Sequence, residues 1–408
     1  MNSSRKVWIT GIGTANPLGM SFRETAAALL AGRSGVRTID HFDVRKRNCK
    51  IAGLIEKIPT PTGWSDSEFA RLERMDRLST WCAIEALRDA DLIGLQSEQR
   101  VGLVLGNGGE WMRLWEADAY AGGNRVLDPT HDRATTAQAL KERLGIRGPA
   151  ITVAAACASG NYALAEARKW IQRGWVDVCL AGAVDLTISP LGLACFDNLR
   201  ALSTQRNHVP QQASRPFDKN RDGFVMSEGG VLFVLESEQS ARSRKAKGYA
   251  EIAGFGASSD AFHLVIPSSD PQPMANSMRL AMADAGISAE QIDYINAHAT
   301  STPVGDIGES RAIAMALGES AARVPVSSTK GTSGHLICAA AALETIACIA
   351  AFENQAIPPT MNLEELDPEC AGLFHVANRS IERPVTVALN NSFGFGGSNT
   401  CMVLRRIG

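Results

Sequence analysis

The stretch ITVAAACASGNYALAEARKW, residues 151–170, starts as an apolar run and ends as an amphipathic helical pattern, with Cys157 at the junction. A thiol in the first turn of a helix meets unpaired N–H groups and the positive end of the helix dipole, which favour a thiolate. Ala156, Ala158, Ser159 and Gly160 leave room for a substrate to approach. The same features suit a small apolar residue in a core, so this stretch alone leaves both readings open. Three more segments carry reactive types. NAHATSTPVGD (296–306) ends a strand at His298 and runs into a polar loop with Thr300 and Thr302, although a lone histidine there also fits a hydrogen-bonded turn. VSSTKGTSGHLICAAAALE (326–344) sets Lys330 and His335 around a Gly/Ser/Thr loop, with an Ala-rich helix starting near His335. A phosphate cradle competes for that loop, yet GTSGH lacks the GxxxxGK[ST] pattern. Glu344 on the helix needs a partner if buried. NNSFGFGGSN (390–399) is a glycine-rich turn around Phe393 and Phe395 whose backbone N–H groups can face a ligand, or a tight link between two terminal strands. Together, one cysteine and two histidines at separated element ends suit acyl transfer.

The elements that must position them alternate along the chain. KVWITGIG (6–13), RVGLVLGNGG (100–109), AITVAAA (150–156), DVCLAGAVD (177–185), GGVLFVLE (229–236) and AEIAGFGASS (250–259) read as buried strands. QIDYINAHAT (291–300), VPVSSTKG (324–331) and TVALNNSFGFGG (386–397) follow them. Helical periodicity occupies 66–92, 158–174, 271–286, 304–318 and 335–354. Near-continuous apolar strands between helices predict an α/β protein with sheets covered on both faces. A strand leads into AAACASGNYALAEA in one half and into STKGTSGHLICAAAALE in the other, which suggests a duplicated unit joined near residue 250.

Composition narrows the function classes. With 45% hydrophobic and 21% charged residues the chain reads as a globular protein, and 408 residues suffice for two or three domain-sized units. A net charge of −2 without long charge runs argues against a nucleic-acid or anionic-membrane binder. The nine cysteines contain no CxxC pair, which excludes the usual zinc spacing and gives no disulfide framework. MNSSRKVWITGIG reaches glycine too early for a signal peptide, and LICAAAALETIACIAAF (336–352) carries Glu344, so it reads as a core helix rather than a membrane span. A reduced, cytoplasmic location is expected.

The four motifs, with VWITGIGTANPLG (7–19) and RPFDKNRDGFVMSEGG (215–230), resemble the β-ketoacyl-[acyl-carrier-protein] synthases over essentially the whole chain, closest to the elongating type and the type II polyketide ketosynthases. The resemblance implies a thiolase fold of duplicated α/β halves, 1–250 and 251–408, in five layers α-β-α-β-α. It implies an acyl-Cys157 intermediate, with His298 and His335 polarising malonyl-carrier protein for decarboxylative condensation. Backbone N–H groups of Cys157 and Phe395 would form the oxyanion hole, with Phe395 also a gate. Lys330 would place charge beside His335, Glu344 and Asp306 would support the site, and Thr300, Thr302, Phe196 and Phe393 would contact substrate. No redox cofactor and no metal is required, although some relatives hold a monovalent cation whose ligands would fall on Asn296, Glu344, Asn390 and Asn391. The implied partner is an acyl-carrier protein, met by Arg71, Arg74 and Arg77 with Arg200 and Arg206, and the implied assembly is a homodimer, with a heterodimer as the alternative. The sequence departs from the family pattern at Ser227, Ala299, Cys338 and Ala341, usual glycine positions. Trp111, Trp115 and Tyr120 in 106–123 suit packing across a dimer or the shaping of an acyl pocket. Three rival readings remain. One is the catalytic ketosynthase of a type II polyketide or specialised fatty-acid pathway, which the Trp-rich loop and the alanine substitutions keep open. The others are a non-catalytic chain-length subunit, which Cys157 and both histidines oppose, and a phosphate-binding module, which leaves three motifs unexplained.

Overall fold

The computed structural model describes residues 5–94, 99–124 and 135–408, apart from the Trp111 side chain. Among the described residues, eleven strands build the main sheet: β1 Val7–Ala15, β2 Val101–Gly106, β3 Ala150–Val153, β4 Val178–Asp185, β5 Gly229–Ser237, β6 Ala250–Ser259, β7 Tyr294–Asn296, β8 Pro325–Ser327, β9 Phe374–His375, β10 Val387–Gly394 and β11 Ser398–Arg406. Their order is β9-β8-β7-β10-β11-β6-β1-β5-β4-β2-β3. The centre of that order is a weak seam, because β1 and β6 pair only through Trp8↔Glu251 and Ile9↔Ala250.

On either side of the seam the topology repeats. With the two-residue edge strand β9 set aside, both halves run 3-2-4-5-1 from the outside in, counting strands along each half. In both, strands 3, 2 and 4 are mutually parallel, and strands 5 and 1 are antiparallel additions. Five helices complete the layers: α1 Arg74–Asp89, α2 Ser159–Gln172, α3 Gln272–Ala285, α4 Pro303–Leu317 and α5 Ala340–Asn354. Helices α1 and α3 cover the first strand of each half from outside, and α2 and α5 pack against each other between the two halves of the sheet. The result is the duplicated five-layer thiolase arrangement.

The outer crossings explain GIG (11–13) and GFG (254–256). A Cβ at Gly13 would lie 1.9 Å from the Cys82 carbonyl oxygen, and one at Gly256 would lie 2.0 Å from that of Ser277. Small residues four apart on each helix, Cys82, Ala86 and Ala90 or Ser277, Ala281 and Ala285, allow the strand this close. Gly13→Ala is expected to destabilise the fold by about 1–3 kcal/mol through overpacking. Because the clash is with backbone, adding Cys82→Ala should not restore the denaturation midpoint; an unchanged midpoint for the single variant would contradict this crossing.

Helix α5 is apolar around its circumference because it is buried all round: every residue from Ala340 to Phe352 is inside. The 18-residue stretch Ile337–Asn354 has the length and composition of a membrane span, but 89% of it is buried within the protein. It crosses α2 where Gly160 faces Ala341 and Ala342. The strand predicted over 291–300 closes at Asn296, and α5 begins at Ala340 after a short 3₁₀ turn, Ile337–Ala339, not at His335.

Candidate active site

Cys157 lies in a 3₁₀ turn, Ala156–Ala158, just ahead of α2. Ala156 takes a left-handed φ of 48°, and so does Ile337 at the equivalent place before α5. Such conformations cost about 1–3 kcal/mol for residues with a Cβ. At Cys157 the surroundings enforce it: Ser159 Oγ accepts from Ala155 N and donates to the Ala156 carbonyl, while Ser392 Oγ donates to the Cys157 carbonyl at 2.8 Å. The sulfur faces His335 Nε2 at 3.0 Å, and the nearby Phe395 backbone N–H works to lower the thiol pKa.

Burial pushes the Cys157 thiol up to about 12, outweighing the nearby Lys330 charge and the Phe395 N–H. The expected thiolate at a helix start is therefore corrected. The resting group is a thiol whose proton has an acceptor in His335, since desolvation penalises the anion more than the turn stabilises it.

His335 is clamped by its backbone: its N–H donates to the Val225 carbonyl and its carbonyl accepts from Ser227 N, both at 2.8 Å. His298 is fixed by Glu309, whose carboxylate accepts from His298 N at 2.9 Å and Ala299 N at 2.6 Å. The two imidazoles stand edge to face with centroids 5.4 Å apart, and Phe393 packs on His298. Burial, then the Lys330 charge, hold both rings well below their ordinary pKa, so both are neutral.

The charge of Lys330 reaches His335 as the resemblance implies, but the direct contacts of Lys330 are with His298 and Glu344. Its Nζ donates to the His298 carbonyl at 2.6 Å, lies 3.4 Å from His298 Nδ1 and pairs with Glu344. A cation facing Nδ1 leaves the ring proton on Nε2, the nitrogen free to meet a ligand. Asp306 accepts from Phe217 N and Ser301 N and sits 3.5 Å from Arg221, bracing the loop that carries Thr300 and Thr302.

A cavity of 360 Å³ opens onto these groups, lined among others by Cys157, His298, His335, Thr300, Thr302 and Glu309. Phe196, Phe393 and Phe395 also line it, the rings of Phe196 and Phe395 lying 6.4 Å apart. Glu309 was missed from sequence, although GDIGE places it three residues beyond Asp306 on α4. Of the basic residues, Arg200 lies at this cavity, whereas Arg74 turns inward to the buried Glu228 and Arg206 faces Asp222 and Asn220. Trp115 and Tyr120 are exposed on helix Glu110–Tyr120; the Trp111 side chain lies outside the described residues.

The supposed cation ligands divide. Asn296 Oδ1, Glu344 Oε2, Asn390 Oδ1 and Asn391 Oδ1 are all buried oxygens without a hydrogen-bond partner among the described residues. Asn296 and Asn390 are lateral neighbours in parallel register and so share a face, the one turned to α5. Asn391, next along β10, points to the other face, toward Glu309 and Met278. Asn391 is thereby removed from the set, and the unpartnered oxygens of Asn296, Glu344 and Asn390 are of the hard-donor type that a monovalent cation takes.

The whole chain has relatives with this architecture. Residues 4–241 match the family described as "Beta-ketoacyl synthase, N-terminal domain" and residues 249–364 match "Beta-ketoacyl synthase, C-terminal domain". The chain is 39% identical to 3-oxoacyl-[acyl-carrier-protein] synthase 2 of Vibrio cholerae, covering 99% of this chain and 100% of that one. It is 35% identical to the Synechocystis protein of the same name, over 98% of each. Among solved structures, a β-ketoacyl synthase from Burkholderia phymatum superposes with a TM-score of 0.88 at 33% identity, covering 99% and 100%. A type II polyketide ketosynthase in complex with its acyl-carrier protein superposes with a TM-score of 0.86 at 30% identity, again over 99% and 100%. With matches to both domain models and full-length likeness on either side of the seam, the chain belongs to the β-ketoacyl synthase family.

Proposed function

We propose that this protein is an elongating 3-oxoacyl-[acyl-carrier-protein] synthase, and the observation that carries the reading is Cys157 Sγ at 3.0 Å from His335 Nε2, with His298 beside them in one cavity. Cys157 attacks an acyl-carrier thioester; its proton passes to His335 as the sulfur–carbon bond forms, and then to the departing carrier thiolate. Malonyl-carrier protein follows. With the sulfur acylated, His335 Nε2 no longer accepts from a thiol, so its ring proton shifts from Nδ1 to Nε2. Both His298 and His335 then donate from Nε2 to the malonyl thioester carbonyl as carbon dioxide leaves, the enolate forming against fixed donors. Its carbon attacks acyl-Cys157, a carbon–carbon bond replaces the carbon–sulfur bond, the 3-oxoacyl carrier departs, and the released Cys157 thiolate takes a proton from solvent to restore the thiol.

The N–H groups of Cys157 and Phe395 stabilise the oxyanion on the acyl-cysteine, and Phe395 gates the cavity. Thr300 and Thr302, 3.2 Å apart, meet the phosphopantetheine arm, and Phe196 and Phe393 the apolar parts. The half comprising residues 1–250 supplies the nucleophile and the half 251–408 both histidines. No redox cofactor takes part. A monovalent cation would be held by Asn296, Glu344 and Asn390, where it supplies structural charge compensation for the carboxylate facing Lys330.

The substrates arrive on an acyl-carrier protein docking where Arg200 and the exposed Leu199, Ile266 and Val304 border the cavity. The assembly is a homodimer and the location cytoplasmic. A second reading, catalytic ketosynthase of a type II polyketide pathway, draws on the likeness to such enzymes, among them the ishigamide ketosynthase/chain length factor at 32% identity. The relatives named synthase 2 stand higher, at 35–39%, and favour fatty-acid elongation. Incubation with a panel of acyl-carrier proteins and malonyl-carrier protein, followed by mass, should show acyl-Cys157 and then a 3-oxoacyl product two carbons longer. Acylation without any longer product would overturn the reading.

A further inference from the structure

Cys157, His298 and His335 come from three different segments, yet each presents a ligand atom within 4.8 Å of the other two. One thiol and two imidazoles form the donor set that borderline-soft divalent ions of the zinc class select. Three protein ligands facing a cavity leave a fourth position open to water or an incoming thiol, the layout of an open zinc site. We propose that the free enzyme binds one zinc-class divalent cation at Cys157, His298 and His335, and that this ion holds it in a dead-end state. Ligation through Nε2 moves the His298 ring proton to Nδ1 at the expense of its contact with Lys330 Nζ, which keeps Glu344 and the His298 carbonyl as partners, so the incoming cation does not meet an uncompensated charge.

The geometry needs tightening rather than rearrangement. Bonds of about 2.0–2.3 Å set tetrahedral ligand atoms roughly 3.3–3.6 Å apart. Cys157 and His335 stand at 3.0 Å and open by about half an ångström to admit the ion, and the His298 ring adjusts to close the set. The three residues are 6%, 7% and 2% exposed, so entry is through the substrate cavity. The reaction is Cys157–SH plus M²⁺ giving Cys157–S–M⁺, with the proton released to solvent. Because the sulfur must be free, acylation and metal binding exclude each other. That clause rests on the proposed acyl-Cys157 intermediate, whereas the site itself does not. This set differs from the oxygen site at Asn296, Glu344 and Asn390, whose hard donors do not discriminate for zinc.

The test is titration of the apo protein with Co²⁺ alone, then with Zn²⁺ as competitor. One equivalent of Co²⁺ should produce a thiolate-to-cobalt charge-transfer band, and one equivalent of Zn²⁺ should bleach it. Cys157→Ser or prior alkylation by iodoacetamide should remove the band, and His298→Ala should weaken binding by more than about tenfold. Cys195 is exposed, and Cys195→Ser should leave the band unchanged. Absence of the band in the wild type, its survival in Cys157→Ser, or its loss in Cys195→Ser would overturn the site. Failure of acylation to block Co²⁺, with the site otherwise present, would instead sink the acyl-Cys157 reading.

Discussion

Cys157→Ala is expected to lower condensation by about four orders of magnitude or more, the scale on which removing a covalent nucleophile acts. The rival reading of the same residue, a small apolar group filling a core, predicts an ordinary stability loss with activity kept. The two separate cleanly because the turn is held by contacts that bypass the sulfur. Ser159 bonds Ala155 and Ala156, and Ser392 bonds the Cys157 carbonyl. The variant should therefore fold with His335 still clamped by Val225 and Ser227. Intact-mass measurement after mixing with acyl-carrier protein should show the acyl group on the wild type and no adduct on any cysteine of the variant. Condensation surviving in Cys157→Ala, with the variant folded, would remove the nucleophile from the mechanism.

Much of this was legible where local pattern and burial coincide. AEIAGFGASS at 250–259 reads as a strand and is one with the same bounds, because its glycines and apolar residues serve a single crossing with α3. The faint echo between the halves proved to be a repeat of strand order and direction. What was not legible depends on direction in space. Arg74 has the spacing of an exposed basic face, but Glu228, 154 residues away, draws its guanidinium inward. Lys330 is five residues from His335 in sequence, yet the 14-residue step to Glu344 and the 32-residue step to His298 decide its contacts. Asn390 and Asn391 read as a pair, and the pleat of β10 separates them. The thiol was misjudged for a related reason: a helix start is visible in sequence, but the extent of desolvation around one sulfur depends on every element packed over it.

His298→Ala should split the reaction, keeping acylation near wild type while condensation falls by about 10²–10⁴, the range for losing a positioned donor in the transition state. The asymmetry follows from distances. The thiol proton goes to His335, 3.0 Å from the sulfur, so the first half-reaction does not need His298. The enolate needs both rings, and only His298 has its tautomer set by Lys330 at Nδ1. Deleting the ring leaves the Lys330 contacts to the His298 carbonyl and Glu344 in place, so the loss should not come from a collapsed loop. Because burial keeps the ring neutral, its role is hydrogen-bond donation rather than charge. His298→Gln, which restores an N–H at similar reach, should recover part of the lost condensation. His335→Ala should instead lose both halves. Single-turnover measurements that follow acyl-Cys157 and carbon dioxide separately resolve the two steps. Equal losses in acylation and decarboxylation for His298→Ala would show that the histidines act as one unit, not in the divided roles that their distances to sulfur and to Lys330 assign.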